Sequence, residues 1–96
     1  MDPVIAARNE LEPLLSALIQ QLNSDGRATP HAIFKHIHAS LTQARTEVEL
    51  TIPFNELSTS ASVFELSAEA TVLLGRIVKK TEWLSLERPD ITYVTH

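Results

Sequence analysis

The sequence predicts an α+β domain, in which an N-terminal helical hairpin and a third helix pack on a small, mainly antiparallel sheet. In three stretches the apolar residues recur every three or four positions, which is the period of an amphipathic helix. In a fourth stretch they alternate with polar residues, which is the pattern of a strand with one buried face. The chain has 96 residues, of which 44% are hydrophobic. This length and composition suit one packed domain over residues 1–96.

The first two helices are predicted over about 3–23 and 30–45. Pro3 suits the first position of a helix, where its missing N–H costs no hydrogen bond. Gly26 can adopt the left-handed conformation that commonly ends a helix. Thr29 then supplies a side chain that can cap the second helix. Because few residues separate the two segments, we expect an antiparallel helical hairpin.

Two strands are predicted next, over 46–53 and 61–66. In the first, Val48, Leu50 and Ile52 alternate with glutamate and threonine, so one face would be buried and the other wet. In the second, Phe64 and Leu66 would face the core. A polar, turn-like segment separates the two strands.

A third helix is predicted over 68–82, with Ser67 as its cap. The chain then reads as strand, turn and strand, over 83–87 and 91–95. Both strands would complete the sheet.

Composition removes several kinds of chemistry from consideration. The chain has no cysteine and two glycines, which excludes disulfides, thiolate metal sites and glycine-rich phosphate loops. Glu47 and Glu49 would share the wet face of a strand, with no pocket around them. We therefore expect a non-enzymatic protein without a cofactor.

The longest apolar runs are too short to span a bilayer, and no signal peptide is recognisable, so a cytoplasmic location without membrane attachment is expected.

Three histidines lie close together in the second predicted helix, at positions 31, 36 and 38. His31 and His38 fall on one margin of the apolar stripe and His36 on the other, too far apart to share one ion. We expect them to lie on the rim of the core. A metal or ligand sensor built on them is kept as an alternative.

Charge is segregated along the chain, although the net charge is −4. Residues 27–45 carry three basic residues and no acidic one, whereas residues 46–69 carry five glutamates and no basic residue. This pattern favours a small protein-interaction module of the adaptor, chaperone-like or immunity type, which binds another protein chain, or a second copy in a homodimer, through charged surfaces or a sheet edge. Charged faces that are only solvated by water would show the same pattern. A DNA-associated regulator that uses the basic helix at 29–45 is the alternative. The expected interface residues are Trp83, Glu47, Glu49, Lys35, Arg45, Arg76 and Lys80.

Overall fold

A computed structural model describes residues 3–87 of the chain, which form four helices and no strand. The helices are α1 (Pro3–Ser24), α2 (Ala28–Gln43), α3 (Glu47–Ser60) and α4 (Ala68–Glu87). They form a small helical bundle, so the predicted α+β fold with a sheet is wrong. The helices predicted over 3–23, 30–45 and 68–82 correspond to α1, α2 and most of α4.

α1 runs through the middle of the bundle, between α2 and α4. The turn from α1 to α2 contains Gly26, whose φ of +71° is left-handed. This conformation is open to glycine at little cost. The turn makes α1 and α2 antiparallel, and Arg8 near the start of α1 accordingly donates to the carbonyl oxygen of Ala44, just after α2, at 2.8 Å.

α4 packs on the opposite side of α1, also antiparallel to it. The Ser67 hydroxyl, just before α4, donates to Asp25 at the end of α1 at 2.6 Å. It also accepts from the backbone N–H of Ala70 at 3.3 Å, so the predicted Ser67 cap is confirmed. The predicted cap at Thr29 is wrong, because α2 begins at Ala28 and Thr29 lies inside its first turn.

The core is built from the facing apolar stripes of all four helices. Burying one leucine, isoleucine or phenylalanine side chain stabilises a fold by about 1.5–3 kcal/mol relative to leaving it exposed. The largest fully buried side chains are Phe34, Phe54, Leu11, Leu15, Leu18, Leu22, Ile37, Leu41, Leu50, Leu57 and Ile77. Most are leucine or isoleucine, which have no polar atoms to satisfy.

The segment 46–53, predicted to be a strand, forms the N-cap and first half of α3. Helical spacing places Leu50, Phe54 and Leu57 in the core, whereas Val48 is 75% exposed. The alternation of apolar and polar residues therefore does not mark a buried face. The segment has two helix-favouring features instead: a capping residue at its start and an apolar stripe with a period of three to four residues.

The strands predicted over 61–66 and 83–87 are also absent from the described residues. Residues 61–66 form the connection from α3 to α4, in which Phe64 packs edge-on against Phe34 with their ring centroids 6.5 Å apart. Residues 83–87 continue α4, because Leu84 extends the buried stripe of that helix. The strand predicted over 91–95 lies outside the described residues.

Candidate functional site

The outer face of α4 carries four exposed side chains in a row, here called the α4 ridge: Val72, Arg76, Lys79 and Trp83. Their spacing of three and four residues places them on one side of the helix. Val72 is 56% exposed and Trp83 is 51% exposed. The opposite side of α4 packs against α1, so the helix has one buried face and one face with two large apolar groups in water.

A groove of about 670 Å³ lies beside the α4 ridge, where α4 meets α1. Its floor is mostly apolar, and Leu14 of α1 contributes to it. Its lining consists of Leu14, Arg76, Lys79, Lys80, Glu82 and Trp83. The groove therefore combines apolar surface with three cationic side chains and one acidic side chain.

Lys80 links α4 to α1, the two helices between which this groove lies. Its Nζ lies 3.0 Å from Oε2 of Glu10 on α1 and 5.5 Å from the centroid of the Trp83 ring. The first contact is an ion pair between helices, and the second is a cation–π interaction. Together they restrain the indole ring at the rim of the groove.

Two of the three cationic side chains that line the groove have no ion-pair partner among the described residues. Within residues 3–87, neither Arg76 nor Lys79 forms an ion pair. Glu82 is the acidic residue among the described lining side chains. A ligand with carboxylates beside an apolar surface would complement this region.

The structure brings together three of the residues expected at an interface, Trp83, Arg76 and Lys80. It adds Leu14 and Lys79, which were not among the expected interface residues. Lys79 could have been identified from its spacing to Arg76 and Trp83, had the third helix been continued past residue 82. Leu14 had no such signal, because its position in the groove depends on how α1 packs against α4.

The remaining expected interface residues lie elsewhere. Glu49 accepts from the backbone N–H of Thr46 at 3.1 Å and so belongs to the cap of α3. Glu47 lies in the first turn of the same helix, where an acidic side chain is favoured by the helix dipole. Arg45 lines a different pocket, and Lys35 is exposed on α2.

The histidines of α2 point to different neighbours. His36 Nε2 lies 3.5 Å from Glu56 of α3, whereas His38 Nε2 lies 3.0 Å from Glu12 of α1. His31 is half-buried. Within residues 3–87, no three histidine or acidic side chains are placed to hold a metal ion.

Ser16, Glu12 and His38 form a small polar cluster between α1 and α2. The Ser16 hydroxyl donates to Glu12 Oε2 at 2.5 Å, and His38 Nε2 lies 3.5 Å from Ser16 Oγ. The hydrogen bond from Ser16, with a second from His38, lowers the pKa of the Glu12 carboxyl below its ordinary value. A catalytic serine–histidine–acid arrangement needs both histidine nitrogens. Here the same nitrogen meets both groups, so the cluster joins two helices and does not activate the serine.

Comparison with known proteins finds no match to this chain among family models, curated proteins or solved structures. Among the described residues, no helix has the length and apolar character needed to cross a membrane.

Proposed function

We propose that this protein is a non-enzymatic protein-binding module, whose α4 ridge and adjoining groove bind an acidic amphipathic helix of another protein chain. The observation that carries the proposal is Trp83, half-exposed at the rim of an apolar groove, beside Arg76 and Lys79, which form no ion pair within residues 3–87.

The apolar part of the surface supplies the driving force. Tryptophan is enriched among the residues that contribute most to protein interfaces. Covering the exposed half of the Trp83 ring would remove on the order of 100 Å² of mostly apolar surface from water, which is worth about 2–3 kcal/mol. Val72 lies at the other end of the ridge and adds a second apolar anchor. Lys80 restrains the Trp83 ring before binding, which lowers the entropy cost of fixing it.

The shape and charge of the surface indicate the kind of partner. The ridge is about 16 Å long, because eleven steps of about 1.5 Å separate residue 72 from residue 83. This length matches three turns of a partner helix packed alongside. Arg76 and Lys79 lie between the two apolar anchors and favour carboxylates. An amphipathic helix with glutamate or aspartate beside its apolar stripe would meet both requirements.

A second copy of this chain could offer the acidic residues of α3 to the same surface only by giving up existing contacts. Its acidic residues on α3 are already engaged within the chain: Glu49 in the helix cap and Glu56 beside His36. Glu47 also has an interaction within the chain. Turning these side chains toward a partner copy would break contacts that stabilise α3.

The experiment uses Trp83, the single tryptophan of the chain, as its own fluorescent reporter. The protein is titrated with a synthetic amphipathic helix that carries leucine on one face and glutamate on the flanks. We expect a saturable blue shift of the emission, because the indole leaves water, and weaker binding at high salt. A peptide with lysine in place of glutamate should bind at least tenfold more weakly. Equal binding of both peptides, or no shift with either, would refute the proposal.

Charge-reversal variants locate the binding surface. The double variant Arg76→Glu with Lys79→Glu should lose the acidic peptide and bind the lysine peptide. Lys35→Glu is the matched control, because Lys35 is exposed on α2 and does not line the groove. A blue shift that follows protein concentration alone, with dimers in sedimentation, would show that a second copy occupies the groove and would overturn the assignment to another protein.

A further inference from the structure

A second pocket lies at the corner where α2 ends and α3 begins, on the side that faces α1. Its volume is about 450 Å³, and its lining is formed by Arg8, Thr42, Gln43 and Arg45. These side chains provide two guanidinium groups, one amide and one hydroxyl. No acidic side chain is among the described residues that line it. We propose that this pocket binds a small oxyanion, which is either a phosphate group or a carboxylate.

Each of the two arginines has guanidinium N–H groups without a partner among residues 3–87. The Nη2 of Arg8 donates to the carbonyl oxygen of Ala44 at 2.8 Å, which fixes the orientation of its guanidinium. Within residues 3–87, the Arg8 Nε is buried without a hydrogen-bond partner, and the Nη1 group forms no hydrogen bond with a described residue. The Arg45 backbone N–H donates to Glu49, but its guanidinium forms no ion pair with a described residue.

Two guanidinium groups around one small pocket repel each other unless an anion lies between them. Arginine is the side chain that best matches the planar, forked geometry of phosphate and carboxylate oxygens. Gln43 can donate a further hydrogen bond from its amide. The Thr42 hydroxyl donates to Ala39 at 3.1 Å, so its oxygen can only accept. An oxyanion could therefore accept hydrogen bonds from three of the four lining side chains, Arg8, Gln43 and Arg45.

Binding is tested on the full chain by NMR titration of the backbone amides with inorganic phosphate and, separately, with sodium acetate. Sodium chloride at matched ionic strength serves as the reference. We expect saturable shifts at Thr42, Gln43 and Arg45 with a Kd below about 10 mM. Saturation with phosphate alone would assign a phosphate group, and saturation with acetate as well would assign the wider oxyanion class.

Variants separate this pocket from a general effect of salt. Arg45→Gln should raise the Kd about tenfold or more, since a charge-assisted hydrogen bond is lost. Arg8→Lys keeps the charge and a donor for Ala44, so it should fold, yet it loses the fork and should also weaken binding. Arg76→Gln is the matched control: it should leave phosphate binding unchanged while weakening the acidic peptide at the α4 ridge. Shifts that persist in Arg45→Gln, or that sodium chloride reproduces, would overturn the proposal.

Discussion

Replacing Thr46 with alanine tests the helical structure of the segment whose alternating pattern predicts a strand. The Thr46 hydroxyl accepts from the backbone N–H of Glu49 at 3.2 Å. The Glu49 carboxylate in turn accepts from the Thr46 N–H at 3.1 Å. This reciprocal capping box satisfies two N–H groups at the start of α3. In Thr46→Ala the Glu49 N–H loses its acceptor.

The expected loss is about 1 kcal/mol, within a range of about 0.5–2 kcal/mol for replacing a threonine N-cap by alanine. The cap is exposed to water, which can partly replace the lost bond, so the upper end of that range is not expected. For a domain of this size, about 1 kcal/mol corresponds to a fall in Tm of about 4–8 °C.

The assay is thermal and urea unfolding, followed by far-ultraviolet circular dichroism. Thr59→Ala is the matched control, because it removes the same atoms from the same helix. The Thr59 hydroxyl donates to the carbonyl oxygen of Asn55 within α3 at 2.9 Å, and alanine has the higher helix propensity. The control should be neutral or slightly stabilising. Equal Tm values for the two variants would contradict the capping role of Thr46.

Three further tests address the packing, the backbone and the pH dependence. Val48→Ala should alter the free energy of unfolding by less than about 0.5 kcal/mol in urea titrations, whereas Leu50→Ala should lower it by about 2–5 kcal/mol. Losses of similar size in the two variants would instead support a strand in which both side chains are buried. Gly75→Ala should raise the free energy of unfolding by about 0.5–1 kcal/mol, because the added methyl group meets open space on a helix. Gly26→Ala should lower it, because the φ of Gly26 is positive. A loss of stability in Gly75→Ala would show that the methyl group clashes with a neighbouring atom. The hydrogen bonds from Ser16 and His38 lower the pKa of the Glu12 carboxyl in the folded state. The stabilisation that this carboxylate provides should therefore be present above the ordinary pKa of a glutamate and be lost as the pH falls through the folded pKa. The difference in Tm between the native chain and Glu12→Gln should narrow as the pH falls from neutral into the acidic range, and a difference that does not change with pH would refute this reasoning.

The sequence predicts most of α1, α2 and α4, because long apolar stripes at helical spacing have few alternative interpretations. It is ambiguous for α3. Over 46–53 the apolar residues fit a period of two, yet the capping box of Thr46 and Glu49 was readable from their spacing. Extending the window to Phe54 and Leu57 reveals the helical stripe. Over a few residues, a period of two and a period of 3.6 both place some apolar residues on one side of the segment. A short window therefore cannot distinguish a strand from a helix.

The candidate groove was predictable in part. Trp83, Arg76 and Lys80 were expected at an interface, but on separate elements: two on a helix and Trp83 on a strand. Their proximity depends on α4 continuing past residue 82. The ion pair between Lys80 and Glu10 joins residues far apart in the chain, and no local pattern indicates such a contact.

By itself, the sequence determined the features that depend on near neighbours: the helical stripes, the left-handed Gly26 and the cap at Ser67. Composition also determined the absence of thiol chemistry, because no cysteine is present. Only the tertiary structure decided that the chain forms a bundle without a sheet in its described part, and which apolar residues stay in water. Local propensities differ by less than about 1 kcal/mol per residue. Burial of one large side chain is worth more than that, so the packing of Leu50, Phe54 and Leu57 selects the helix and leaves Val48 outside.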